Sequence, residues 1–371
     1  MACLLERHPL FTPFTDPVSG VVSFLLKNGV APVQQSLYYT QPSLSADGKW
    51  LWFHAAHPPA PSKHLAVVRL DPDRPEVRVF PQAQFPTAHP VIEAAGSVLF
   101  GAGPVVWRLD LEGKTTKVFE LPPDYLAGRE LKRLATHLTL SADGRNLLLD
   151  GQAGNQWFVG TADLATGEFR LIQEFMAHHN HAQFSPVDPE LFLIAHDQYR
   201  DPVSGRFVHH LQRVFLMNTA GTRYEWITPD HLSAPFRGAC HEWWSRDGWV
   251  CYLDYELGVY EYDPRTGERN HVWREPVCHA HCSADRRFWC ADESPYKWRD
   301  KPCEVLFFDR QTGKRTAIQS GMAAPGGDYW ATRATYHIDP HPQFSPDDQW
   351  IIYTSTVENR VTVALTPVSM L

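Results

Sequence analysis

A histidine recurs along the chain four residues ahead of a turn serine or its equivalent. The positions are Gln41, His89, His137, His181, His241, His279 and His341, so six of the seven are histidine. The chain holds 19 histidines in 371 residues, and chance does not place six of them at one repeat position. Near neutral pH an imidazole can take up a proton, release one, or ligate a divalent ion through either ring nitrogen. Several imidazolium charges in a confined space would repel one another by several kcal/mol, so a converging set either stays neutral or shares a cation. His279 and His341, with Asp339 two residues before the latter, are candidate ligands. Two imidazoles and a carboxylate suit a borderline ion such as manganese, zinc, iron or nickel, with geometry selecting among them. The spacing also fits a structural role, in which each histidine hydrogen-bonds the neighbouring repeat.

The elements that must position these side chains are legible as repeats. Seven units recur, from QPSLSADGKWLWF at Gln41 and HLTLSADGRNLLL at His137 to HAHCSADRRFWCA at His279 and HPQFSPDDQWIIY at His341. Each reads as a short strand, a Ser-x-Asp-Gly type turn and an alternating apolar strand. A second turn follows, as DLATGEF at Asp163 or DPRTGER at Asp263. Two hairpins per repeat give four strands, and a spacing of about fifty residues predicts a β-propeller rather than a helical solenoid. The expected fold is all-β, a seven-bladed β-propeller of TolB- or WD40-like repeats forming one domain over residues 1–371. An unpaired sheet edge would template aggregation, and the N-terminal FTDPVSGVVSFLL supplies an outer strand to close the last blade. The first strand of a blade lines the channel, so one repeat position becomes one ring. Alternation then puts His179, Gln183, His281, Asp339 and Gln343 on the same face. Long segments at 199–207, 294–302 and 320–334 are expected to wall a substrate cleft.

Composition narrows the function classes. A net charge of -8 with no Lys/Arg run argues against nucleic acid as a partner. Seven scattered cysteines without a paired CxxC layout read as reduced thiols in a cytoplasmic protein. The N-terminal residues lack the pattern of a secretory leader, and no apolar run reaches the ~18 residues of a membrane span, so no membrane partner is expected. There is no GxSxG elbow for a serine hydrolase. A glycosidase would want two facing carboxylates, where this chain offers imidazoles.

The order and spacing of DPVSGVVSFLL, SLYYTQPSLSADGKWLWF, HAQFSPVDPELFLIAHDQ, LQRVFLMNTAG, CHEWWSRDG and PHPQFSPDD resemble the oligogalacturonate lyase family over the full chain. The resemblance implies a propeller that cleaves the bond at C4 of a uronic acid in an acidic oligosaccharide by β-elimination, assisted by a divalent metal ion, Mn2+. It implies that His241 of CHEWW is the base and that Arg213 of QRVFLMN assists it as the carboxylate or oxyanion partner. His181, His196 and Arg237 become substrate contacts. The implied metal ligands are His279, Asp339 and His341, with Tyr336 standing where the family has Gln and Asp339 where it has a His. His281, His337 and Gln343 lie close enough in sequence to supply a further ligand. These departures point to a relative acting on a different uronide. Because fold does not fix function, a non-catalytic propeller serving as an interaction or binding scaffold is the competing expectation.

Overall fold

Turn chemistry sets where the strands stop. In the computed structural model, which describes residues 2–27, 29–85, 89–201, 203–208, 212–228, 239–293, 302–323, 336 and 338–371, the Ser45 hydroxyl donates to the Asp47 carboxylate at 2.7 Å and accepts the Trp50 N–H at 3.0 Å. The same clasp recurs at Ser141/Asp143, Ser245/Asp247, Ser283/Asp285 and Ser345/Asp347, each at 2.6 Å. The turn needs one left-handed residue, supplied by Gly48 (φ 69°) and Gly144 (φ 70°). Arg286 (φ 55°) and Asp348 (φ 56°) hold that conformation without glycine. In the second turn an aspartate accepts two successive backbone N–H groups, as Asp163 does from Ala165 (2.9 Å) and Thr166 (2.8 Å).

The resulting sheets group into two compact units. The first comprises Met1–Pro86, Ile92–Gly96 and Pro276–Leu371, and the second Thr87–Val91 and Ser97–Glu275. In the first unit, one sheet runs Val33–Gln35, Trp50–Ala56, Lys63–Arg69, Glu76–Phe85. Another runs Ala280–Cys282, Phe288–Asp292, Cys303–Asp309, Lys314–Met322. The last begins Gln343–Phe344, Trp350–Ser355, Thr362–Pro367 and is completed from the N-terminal region. Buried Leu51, Phe53, Ile352, Val363 and Leu365 share one apolar cluster within this unit. The other four sheets, which belong to the second unit except for Ile92, have as inner strands Val91–Ile92, the interrupted pair Leu131–Arg133 and Thr139–Leu140, His179–Phe184, and Cys240–Trp244. The seven sheets are the blades of an all-β, seven-bladed β-propeller.

Closure of the last blade uses more chain than one outer strand. Val22–Leu26 pairs with Thr362–Pro367, and Phe11–Thr15 adds a fifth strand beyond it. The turn between these two strands is anchored by Asp16, which accepts the Ser320 N–H at 2.7 Å and so ties the last blade to the one before it. The segment at 199–207 contributes a separate ribbon of Tyr199–Arg200 paired with Phe207–Val208. Residues 294–301 and 324–335 lie outside the described residues. Among the described residues six cysteines are buried free thiols, and no helix is long and apolar enough to cross a membrane.

The inner strands are irregular where the repeat histidines sit. Register shifts between Asn180 and Gln183 and between Cys240 and Trp243 mark β-bulges. His181 (φ 54°), His241 (φ 45°) and His341 (φ 48°) are left-handed. A bulge re-aims its side chain and breaks period-two alternation, which changes the outcome expected for the neighbours. His179 stacks on Phe175 at 3.7 Å, and Gln183 donates to the Glu242 carbonyl at 2.9 Å.

Two glycines give contrasting predictions. A Cβ on Gly258 (φ +108°) would lie 2.0 Å from the Trp273 carbonyl oxygen, whereas one on Gly267 (φ +77°) would meet nothing within 4 Å. Gly258→Ala should lower the thermal midpoint by many degrees or prevent folding, and Gly267→Ala should cost only about 1 kcal/mol. Equal midpoints for the two variants would contradict this.

Candidate functional site

In the second unit the repeat histidines meet in succession. The backbones of His89 and His137 form a parallel bridge, and their rings stack at 5.2 Å. His137 Nε2 lies 2.9 Å from His181 Nδ1. Burial, and then the charge of His181, holds His137 well below the ordinary imidazole range; for His181 the causes are burial and then Arg213. Both are therefore neutral, and one ring donates to the other. The backbone carrying them is held by Asp150, fully buried, whose carboxylate accepts the Thr136 N–H at 2.6 Å and the Ala182 N–H at 3.2 Å.

Arg213 lies in the same unit, fixed by two acids. Its Nε donates to Glu242 at 3.2 Å and its Nη1 to Asp197. Burial weakens its charge, but Asp197 and Glu242 more than offset this and hold the guanidinium well above its ordinary value. Among the described residues Nη2 donates to no group, so that arm is the one an incoming carboxylate can take. Asp197 is buffered in turn by Asn180, whose side chain donates at 2.9 Å. Half-buried His241 has its Nε2 3.2 Å from the Tyr255 hydroxyl, with the rings edge-on at 5.4 Å. Cys240 beside it is no nucleophile, because burial pushes its thiol up. His196 lies flat on His179 at 4.7 Å, and Arg237 falls outside the described residues.

The first unit gathers the other candidates. Ligand atoms of His279, Asp339 and His341, all buried, lie within 4.8 Å of one another. His341 Nε2 is 4.0 Å from Asp339, and the two imidazoles meet edge-on at 4.3 Å. Asp292, also fully buried, accepts from His279 Nδ1 at 2.9 Å, which leaves Nε2 of that ring as the ligand atom. The same carboxylate accepts the backbone N–H groups of His279 (2.8 Å) and His341 (3.0 Å), repeating what Asp150 does in the other unit. Burial and then the Asp339 charge push Asp292 well above the carboxylate range. Lys63 is pushed down to about 8 by burial, opposed by Asp339. Tyr38 and Tyr39 wall the imidazoles at 4.7 Å from His341 and 5.4 Å from His279.

This donor set fits a divalent ion. Two bonds of about 2.1 Å to one metal separate their ligand atoms by roughly 3.0–4.2 Å, so a slight inward shift closes the cluster on an ion. A cation there would also offset two neighbouring buried carboxylates. Tyr336 supplies no ligand, for its hydroxyl donates to the Ala60 carbonyl at 2.5 Å and its ring is buried with Val33, Ala56, Ile338 and Val361. Gln343 is committed as well, accepting the Ser43 N–H at 2.7 Å and donating to the Leu37 carbonyl at 3.2 Å. His281 Nδ1 accepts the Phe344 N–H at 3.1 Å, and His337 lies outside the described residues. Sequence reasoning did not single out Asp150, Asp292, Glu242 or Tyr255. The signal for the two aspartates was a charge ending an apolar run, in LLLD and FWCAD.

No family model matches the chain. Over 226 residues it is 25% identical to the oligogalacturonate lyase of Dickeya dadantii, covering 56% of this chain and 54% of that protein. To the oligogalacturonide lyase of Pectobacterium atrosepticum it is 26% identical over 226 residues, with the same coverage of 56% and 54%. The chain thus spans about half the length of the curated relatives it matches. Among solved structures, an oligogalacturonate lyase in complex with manganese superposes with a TM-score of 0.75 at 20% identity, covering 97% of each chain. An oligogalacturonate lyase from Vibrio parahaemolyticus gives 0.76 at 18%, covering 96% of each. At such identities the likeness shows the fold.

The Arg213 pair makes a measurable prediction. Burial alone would raise Asp197, but Arg213 and Asn180 outweigh it and bring the carboxyl from 3.8 to about 2. A folded-state value below the unfolded one adds stability above about pH 4, and this is lost as pH falls through about 2. Asp197→Asn should therefore cost about 2 kcal/mol at neutral pH and flatten the fall in stability between about pH 4 and 2. Urea unfolding across pH checks this, and an unchanged acid limb in the variant would contradict it.

Proposed function

We propose that this β-propeller, a homologue of the oligogalacturonate and oligogalacturonide lyases, cleaves the bond at C4 of a uronic acid in an acidic oligosaccharide by metal-assisted β-elimination. The observation that carries the reading is the buried cluster of His279, Asp339 and His341, a donor set suited to the manganese that a structural relative binds. Bound there, Mn2+ would act as a Lewis acid on the uronate carboxylate, whose developing enediolate charge is what makes the C5 proton hard to remove.

The residues of this chain divide the remaining work. His241 is the base that takes the C5 proton, and the Tyr255 hydroxyl at 3.2 Å from Nε2 fixes the ring and gives the proton a route away. Arg213, held by Asp197 and Glu242, presents its uncommitted arm to carboxylate or oxyanion and cannot lose its charge. His181, neutral, offers hydrogen bonds to sugar hydroxyls without adding charge. His196 and Arg237 are further substrate contacts. A base must stay off the ion, because a coordinated nitrogen cannot accept a proton, so the metal ligands and the base are different histidines.

Elemental analysis of purified protein, followed by absorbance at the unsaturated-uronide band with a panel of oligouronides, tests the reading. Metal content together with new absorbance is expected. His241→Ala should lower kcat by ~10²-fold or more with metal content unchanged. His279→Ala should lose metal first and activity with it. A verified uronide cleaved at the wild-type rate by His241→Ala would sink the mechanism. Full metal content with no reaction on any uronide would favour a binding scaffold instead.

A further inference from the structure

Outside its interrupted inner strand, the sheet next to His137 is built from Asn146–Ala153, Gln156–Asp163 and Phe169–Phe175. Alternation along the middle strand puts Trp157, Val159, Thr161 and Asp163 on one face. Trp157 and Val159, with Leu148, pack into one apolar cluster with Phe184, Phe192 and Met217 of the next blade. The cluster stops short of Thr161. Beyond it both blades turn polar. Thr161 pairs across the sheet with Arg170 and Asp163 with Asn146, while the next blade brings Glu190 and Thr219 from its own strand ends. With Glu168, these side chains line a cavity of about 200 Å³, space for roughly six or seven waters at ~30 Å³ each. Asn146 stands four residues, about 13 Å, along its strand from Asp150, whose carboxylate holds the backbone beside the repeat histidines. The cavity therefore lies at the strand ends remote from them.

Thr161 is 6% exposed, yet among the described residues its hydroxyl has no hydrogen-bond partner. A hydroxyl kept from bulk water without a partner costs stability, and here it faces the cavity. The Asn146 side-chain amide is likewise without a partner among the described residues. Thr219 donates to one Glu190 oxygen and leaves the other open. Asp163 spends one oxygen on its turn, accepting from Ala165 and Thr166, and keeps the second. Glu168, Glu190 and Arg170, the exposed members of the lining, mark the mouth, and among the described residues none of them forms an ion pair. The three carboxylates do not gather within 4.8 Å of one another as His279, Asp339 and His341 do, so the cavity is not shaped around a metal ion. Both signs of charge instead stand unpaired around one opening, above a buried hydroxyl.

We propose that this cavity binds a small zwitterion, a molecule carrying an ammonium and a carboxylate as a free α-amino acid does. The Glu190 and Asp163 carboxylates take the ammonium, each through the oxygen its internal contact leaves open. Arg170 takes the carboxylate with its planar pair of donors. Thr161 and Asn146, which can both donate and accept, satisfy what remains of the polar head groups. The site is separate from the histidine clusters and does not depend on the reaction they carry out.

Calorimetric titration of the full-length protein with each of the common α-amino acids tests the site. At least one should bind with a Kd in the millimolar range or tighter. For that amino acid, the N-acetylated form, which lacks the ammonium, and the methyl ester, which lacks the carboxylate, should each bind at least tenfold more weakly, the size of one charged hydrogen-bonded contact. Arg170→Gln should weaken the parent amino acid by a similar factor and remove the difference between it and its methyl ester. Thr161→Val should weaken binding about threefold to tenfold without lowering the thermal midpoint, because the hydroxyl has no partner to lose in the unliganded protein. The modified probes read both charges on the unsubstituted chain, so the result stands even if a variant fails to fold. Calcium chloride titrated alone should give no binding heat. The proposal is overturned if no amino acid binds below about 10 mM, if binding is the same in folded Arg170→Gln and Thr161→Val, or if calcium binds and the amino acids do not.

Discussion

The arrangement of histidines depends on one interaction used twice, a buried carboxylate that accepts backbone N–H groups from two successive inner strands. Asp150 joins Thr136 to Ala182, and Asp292 joins His279 to His341. Each therefore fixes the spacing of adjacent blades at the level where the imidazoles emerge. Left-handed backbone at His181 and His341 costs on the order of 1–3 kcal/mol per residue and persists only where the surroundings over-determine it. The aspartates provide that determination, since releasing either would strand N–H groups in a dry interior. A regular strand would alternate its side chains; the bulge between Asn180 and Gln183 interrupts this, and His181 meets His137 of the preceding blade.

The same burial that makes the carboxylates effective sets the charge states around them. In the second unit His137 and His181 are held neutral, so cationic character resides in the arginines, which cannot release a proton. In the first unit two carboxylates, Asp292 and Asp339, are enclosed with two imidazoles. One unit thus offers fixed positive charge and a hydrogen-bonding imidazole, and the other a cluster that a cation would complete.

The architecture was legible in the sequence because turn chemistry is local. Ser45 and Asp47 contact each other across one residue, and the same pair recurs in most blades. The meeting of His89, His137 and His181, and of His279 with His341, was legible for the same reason, as one position repeated. The alternation rule is interrupted between Asn180 and Gln183, where a bulge inserts one residue, and nothing in HNHAQF distinguishes a bulged from a regular strand. Asp150 and Asp292 were passed over because an acid closing an apolar run reads as the solvent end of a strand, whereas both have no exposure at all. Tyr336 occupies the place of an expected ligand but serves packing, which only its contacts reveal.

The last blade imposes an order on synthesis. Phe24 pairs with Leu365, so the N-terminal hairpin leaves the ribosome about 340 residues before its neighbour exists. At ordinary elongation rates that is a wait of roughly 20–70 s. A lone two-stranded hairpin is marginal in water, and this one carries Phe24, Leu25 and Leu26, none of which is more than 1% exposed once the blade is complete. For that interval the nascent chain trails an apolar edge with nothing to pair with, and whatever shields it in the cell must hold on until the final strand emerges.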